Sequence, residues 1–202
     1  MAGIDLHRLS YLTHHFVPDG TDHFDVDGNS LELETGMILY SLARRIRPVV
    51  LMETGTWKGY SAAFMACALA DNYEPYPGRS HMPPGILFTV DKDDHGAAVL
   101  WDHLDVNHYV RFTVCDSMQY IPPRDIDILY LDAGHYAEDI IGEAKHYAPF
   151  LNHHDSYVLV HDTSLESFSW KAMQEIPKIL GGKVDVIEFP NMRGLTLMQR
   201  RG

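Results

Sequence analysis

Cysteine is nearly absent from this chain. Two thiols, Cys67 and Cys115, in 202 residues make no disulfide framework and have no ligand-like spacing to each other. Both are expected to be reduced and buried, and the protein is read as cytoplasmic. Long apolar runs are also missing. The longest, Pro48-Val49-Val50-Leu51-Met52, is strand-sized and far short of a membrane span. The first twelve residues carry Asp5, His7 and Arg8 and lack the apolar core of a signal peptide. Positive charge is scarce: 16 Lys and Arg stand against 28 Asp and Glu, for a net charge of −12. Such a surface repels a phosphate backbone, so nucleic acid is a poor partner and a small molecule a better one. Internal repeats, low-complexity tracts and linkers are lacking, and the chain is read as one domain preceded by an extension.

What is present is ordinary for a folded protein. The apolar fraction is 46% and the charged fraction 22%, both near the average for globular chains. Thirteen histidines are scattered rather than clustered. Residues 1–30 are polar and turn-rich (Pro18-Asp19-Gly20, Asp27-Gly28-Asn29-Ser30) and are expected to form an irregular extension. Residues 31–202 are expected to form the working domain.

Within it, periodicity and breakers predict alternating elements. A helix runs from an Asn29 cap to about Ile46, with Gly36 inside it and Pro48 beyond it. Strands are expected at Val49–Glu53, Ile86–Val90, Val110–Val114, Ile126–Leu131 and Tyr157–Val160. Helices are expected at Tyr60–Ala70, Gly96–Leu104, Ala137–Phe150 and Ser167–Ile176, the last ended or disturbed by Pro177. Two further strands, Val184–Glu188 and Leu195–Gln199, form a terminal hairpin. The pattern predicts an α/β fold: a Rossmann-like, doubly wound, mostly parallel sheet with a C-terminal antiparallel hairpin strand.

Open parallel sheets bind ligands outside the carboxyl ends of their strands, so the residues leaving each strand carry the functional reading. The first strand leaves into Glu53-Thr54-Gly55-Thr56-Trp57-Lys58-Gly59-Tyr60-Ser61. Gly55 permits a tight turn and close backbone approach, and Gly59 close packing of the next helix. Later strands leave at Asp91, at Asp116-Ser117, at Asp132 and at His161-Asp162. Any one of these fits a bland reading as a helix N-cap. Five on one rim point to a ligand.

Glu53-x-Gly55-x-x-x-Gly59-x-Ser61 resembles the first motif of class I S-adenosylmethionine-dependent methyltransferases. The segments Ile126 to Tyr136 and Val158 to Thr163 are similar to one branch of them, the small bacterial O-methyltransferases and the macrocin O-methyltransferase type. The resemblance implies a cofactor, S-adenosylmethionine, and a small-molecule acceptor. It implies cofactor contacts from the Gly55–Gly59 backbone, including Thr56, and from Glu53, Ser61 and Asp132. Asp91 would take the ribose hydroxyls, and Asp116 with Ser117 the adenine edge. Ligands for a divalent metal ion in such enzymes match Asp132, His161 and Asp162. The Asp-Asn of catechol-type relatives is His161-Asp162 here, which departs from a magnesium site and suits a softer ion.

Methyl transfer to a hydroxyl also needs a proton acceptor. His135, three residues after Asp132, is the expected base, with Asp132 beside it. Tyr136, Trp57 and Trp170 are aromatic residues that either line an acceptor pocket or pack in the core. Two alternatives use the same fold. A nicotinamide-dependent oxidoreductase needs G-x-G-x-x-G to seat a pyrophosphate, and Trp57 and Tyr60 occupy positions where that pattern needs glycine. A binding module without turnover is the other. A homo-oligomer is left open.

Overall fold

The computed structural model describes residues 5–15, 31–73, 84–122, 125–152, 155–164, 168–190 and 193–201. Asn29 and the turn residues 18–20 and 27–30 lie outside these, as do His153, His154 and Ser167. The chain divides into two units, one of residues 1–49, 57–87 and 95–111 and the other of 50–56, 88–94 and 112–202.

Among the described residues the first unit carries four α-helices: α1 (Leu6–His15), α2 (Leu33–Ile46), α3 (Tyr60–Tyr73) and α4 (Ala98–His103). Every residue of α3 from Ser61 to Asp71 is buried, as expected of a helix that is apolar all round. A glycine in α2 lets that helix approach α3 closely. Gly36 belongs to α2, and a Cβ there would come within 2.4 Å of the Phe64 ring. Burial pushes the Cys67 thiol up to about 12, so it is an inert core group. Helix α2 keeps Arg44 and Arg45 in its last turn and ends on a left-handed Arg47 just before Pro48.

The N-terminal segment departs from expectation. Residues 6–15 form a helix rather than an irregular stretch, because tertiary contacts hold them where composition alone would not. Leu12 is fully buried, and Arg8 donates through Nε to the Leu104 carbonyl at 2.9 Å. At the far end of α3, Asp71 is 2% exposed. It accepts the Tyr40 hydroxyl at 2.5 Å and the Asp5 amide at 3.4 Å, and lies 3.9 Å from the Arg8 guanidinium.

The second unit carries most of a seven-stranded sheet. Its strands are β1 (Val50–Thr54), β2 (Ile86–Asp91), β3 (Val110–Val114), β4 (Ile128–Leu131), β5 (Asp155–His161), β6 (Lys183–Phe189) and β7 (Leu195–Arg201), in the order β3-β2-β1-β4-β5-β7-β6. β1, β4 and β5 pair in parallel, while β7 runs antiparallel to both β5 and β6. β1 and β4 are buried at every position, the pattern of central parallel strands. The α/β class, the parallel core and the antiparallel hairpin are those expected.

Two helices complete this unit, α5 (Ala137–Tyr147) and α6 (Ala172–Leu180). α6 runs through Pro177, where the sequence suggested an end or a disturbance. The proline removes one backbone donor, but Ile176 and Leu180, on either side of it, are both buried. That apolar face offsets the lost hydrogen bond.

Removing the Asp71 carboxylate strands a buried tyrosine hydroxyl and releases the Asp5 amide and Arg8 of α1. Asp71→Ala is expected to destabilise the protein by about 1–3 kcal/mol, seen as a lower urea midpoint at unchanged slope.

Candidate active site

Strand register levels the carboxyl ends of the central strands. Thr54 is opposite Leu131, Leu131 opposite Val160, and Val160 opposite Thr196. The next residues, Gly55, Asp132 and His161, therefore stand side by side at the end of the sheet. Because β7 is antiparallel, the residues preceding Leu195 arrive at the same rim. The turn after β1 is tight: Gly55 has φ +85° and donates its amide to Val90 at 2.9 Å. A Cβ at Gly55 would lie 2.4 Å from the Asp132 carbonyl oxygen. Only glycine satisfies both demands.

Below this turn a chain of hydroxyls ends on a buried carboxylate. Thr56 and Thr89 share a hydrogen bond of 2.6 Å, and Thr89 donates to Glu53 Oε2 at 2.6 Å. Glu53 is fully buried, at the rim position expected. Asp91 ends β2 half-buried, and its Oδ1 accepts the Asp93 amide at 3.3 Å. Asp116 caps the following short turn, accepting the Met118 amide at 2.9 Å, and lies 3.6 Å from Lys92. The capping role thus holds for Asp116 through Oδ1, while Oδ2 is the oxygen that faces Lys92.

Ser117 is buried, and its side chain is hydrogen-bonded to Glu143. Its hydroxyl is therefore committed inward, and its carbonyl accepts from Tyr147 at 2.7 Å. Glu143, on α5, also accepts the Thr54 hydroxyl at 3.2 Å. Burial raises its carboxyl to about 7, against the lowering effect of the Ser117 and Thr54 hydrogen bonds. Glu143 gave no signal in the sequence, being one acidic residue on an amphipathic helix.

Asp132, His161 and Asp162 meet as expected, with potential ligand atoms all within 4.8 Å of one another. His161 Nδ1 lies 3.0 Å from Asp132 Oδ1, whose other oxygen accepts the Tyr130 hydroxyl at 3.0 Å. His135 Nδ1 lies 3.1 Å from Asp162 Oδ2. The sequence reading missed Arg193. Its guanidinium grips Asp162 with both prongs, Nε to Oδ1 at 2.6 Å and Nη2 to Oδ2 at 2.7 Å. Burial opposes the charge of Asp162, but His135, His161 and Arg193 outweigh it and hold the carboxyl well below the usual carboxylate range. With a guanidinium on both oxygens of one supposed ligand, this donor set does not fit a divalent cation.

Gly59 and Ser61 belong to the first unit. The Gly59 carbonyl accepts the Trp101 indole at 2.9 Å, and a Cβ there would come within 2.6 Å of Ala97, so its packing role is evident. Ser61 is buried in the first turn of α3. Trp57 is 41% exposed and packs on the His95 ring at 4.1 Å, also within that unit. Tyr136, beside His135, is 60% exposed and is no core residue. Trp170 is half-buried.

A family model described as a methyltransferase domain matches residues 52–163. The chain belongs to that methyltransferase family. The matched span runs from β1 through the residues just after β5, and so contains the whole rim except Arg193. Among curated proteins none matches significantly. Solved structures agree on the fold. The O-methyltransferase TomG of Streptomyces achromogenes, solved with SAM, is 18% identical with a TM-score of 0.68, over 98% of this chain and 97% of that one. An O-methyltransferase from Bacillus cereus, solved with SAH, is 13% identical with a TM-score of 0.66, over 97% and 90%. A methyltransferase from Geobacter sulfurreducens is 17% identical with a TM-score of 0.64, over 98% and 100%. None of these matches supports the nicotinamide reading. Among the described residues no helix of this methyltransferase is long and apolar enough to cross a membrane.

The buried Glu143 makes stability depend on pH. Its folded carboxyl value, about 7, lies above its unfolded value of 4.5, so the protonated form is favoured by folding. That contribution is complete below the unfolded value and is lost as pH rises through the folded one. Glu143→Gln is expected to gain on the wild type by about 2–3 kcal/mol between roughly pH 5 and pH 8, measured by urea unfolding at each pH.

Proposed function

We propose that this methyltransferase binds S-adenosylmethionine at the rim of the second unit and methylates a hydroxyl of a small-molecule acceptor. The observation that carries the reading is the levelled rim itself. A glycine turn, a buried carboxylate and a half-buried carboxylate leave β1 and β2, with the His135–Asp162 pair two strands away. The donor set suits the cofactor. Glu53 supplies negative charge toward an ammonium group, and Gly55 and Thr56 supply backbone beneath it. Asp91 accepts from ribose hydroxyls. Asp116 and the backbone of Ser117, at the end of β3, are placed for the adenine edge, and Asp132 closes the floor. Gly59 and Ser61 continue the same motif in the sequence and belong to the first unit. Bound S-adenosylmethionine supplies a methyl group on a sulfonium, a leaving group that needs no protonation.

The chain must then orient the acceptor and take its proton. Asp162 fixes His135 through Nδ1, leaving Nε2 to accept the hydroxyl proton. The imidazolium so formed is stabilised by Asp162. The hydrogen bond to Asp162 raises the His135 pKa above its ordinary value, against the lowering effect of partial burial. His135 is 59% exposed, open to an acceptor. Asp132 holds His161 and Tyr130 around this floor. Two free thiols, Cys67 and Cys115, suit the reducing cytoplasm.

Calorimetric titration with S-adenosylmethionine and with NAD tests the cofactor. Saturable binding of the first is expected, and binding of NAD alone would overturn the reading. Asp91→Ala should weaken cofactor affinity by about 1–3 kcal/mol. His135→Ala should retain cofactor affinity and lose roughly 10²–10⁴-fold in kcat, measured by transfer of labelled methyl to phenolic and sugar hydroxyls. In the wild type kcat/KM should fall as pH drops through a midpoint above about 6.5, since only neutral His135 accepts a proton.

A further inference from the structure

We infer that Arg193 takes the place of a divalent cation in the Asp132–His161–Asp162 cluster, so that a guanidinium rather than a metal ion orders these side chains. The inference rests on the methyl-transfer reading only for its consequence, that the reaction needs no metal.

The coordination of Asp162 decides the matter. A carboxylate offers about four lone-pair sites. Arg193 Nε and Nη2 take two at 2.6 and 2.7 Å, and His135 Nδ1 takes a third at 3.1 Å. His161 Nδ1 stands 3.6 Å from the remaining side, against Oδ1. A metal ion would have to displace one of these, and the fork–fork pair is the strongest kind of carboxylate contact. Charge points the same way. Two carboxylates and one guanidinium leave a single negative charge when both histidines are neutral, and a divalent ion would overshoot it.

The arginine is built into position. The Arg193 carbonyl accepts the Ser164 amide at 3.0 Å, and the Gly194 carbonyl accepts the Thr163 amide at 3.2 Å. Thr196 donates to the Thr163 hydroxyl at 2.8 Å. Gly194 has φ +81°, and a Cβ there would lie 2.4 Å from the Ser164 amide nitrogen. These rungs tie the hairpin connection to the residues after β5. Asp162 itself takes a left-handed φ of 60°, a conformation aspartate tolerates better than most residues. That turn lies next to the rungs, and the fork reaches both oxygens. Arg193 is thus a positioning residue, acting on the acceptor's proton through Asp162 and His135.

Manganese(II) binding followed by electron paramagnetic resonance tests the inference without reference to catalysis. The full-length wild type is expected to take up no stoichiometric Mn²⁺, whereas Arg193→Met, which frees the carboxylate and removes the charge, should bind Mn²⁺ at least about tenfold more tightly. Arg193→Lys keeps the charge and should still exclude the ion. One Mn²⁺ bound per wild-type chain overturns the inference, whether or not the methionine variant folds. So does a folded Arg193→Met that gains no affinity. Methyl transfer by the wild type should be unchanged in excess chelator, and loss of that activity also overturns it. If S-adenosylmethionine does not bind at all, the methyl-transfer reading fails while the manganese result stands on its own.

Discussion

The parallel register of β1, β4 and β5 is the constraint on which the functional chemistry depends. Thr54, Leu131 and Val160 lie level across three strands, and so Gly55, Asp132 and His161 emerge together. A one-residue slip in any strand would turn its side chains to the opposite face and separate these groups. The register is held in turn by burial, because β1 and β4 have no exposed position. The apolar runs that form the strands therefore also set the geometry of the polar rim. Asp132 is positioned by the packing of Leu129 and Leu131 as much as by its own hydrogen bonds.

Polar groups inside such a core need partners, and the second unit places them where they also serve the rim. Glu53 is capped by Thr89, which engages Thr56 in the turn above. Glu143 joins Thr54, at the end of β1, to Ser117, after β3. These two buried carboxylates brace the loops from beneath. Their cost in desolvation is offset by hydroxyl donors, and the loops gain a fixed shape before any ligand arrives. Asp71 is a similar buried acid in the first unit, but it ties α1 and α2 to α3 and has no part in the rim.

The fold was legible because its signals are local and repeated. Apolar strands of four to seven residues alternate with helices over most of the chain, and the breaks between them carry glycine, proline or an acid. The rim acids were legible for the same reason, each standing directly after an apolar run. Three things were not. The helix at Leu6–His15 depends on Arg8 and Leu12 finding partners, Leu104 among them, far along the chain. Continuation of α6 through Pro177 depends on apolar burial that outweighs a local rule. Arg193 lies in a turn-rich connection thirty-one residues from Asp162, and only antiparallel pairing of β7 with β5 brings it there. The one sequence signal for it was the hairpin: an antiparallel strand beside β5 must return its preceding turn to the ligand-binding end.

The terminal hairpin thereby acquires a role beyond closing the sheet. A strand inserted antiparallel between β5 and β6 delivers its leading turn, not its trailing end, to the rim. In this chain Arg193, in that turn, lies opposite Asp162, just after β5. A metal ion binds carboxylates and imidazoles by coordination and can be lost to a chelator. A guanidinium fixed by two backbone rungs cannot dissociate, and it orients a carboxylate with comparable directionality. It does not, however, lower the pKa of an acceptor hydroxyl as a bound metal does. On the proposed reading the acceptor's proton is instead removed by His135, whose Nδ1 is fixed by Asp162. The arginine and the imidazole are in this sense complementary, each taking one part of what a single cation would otherwise do.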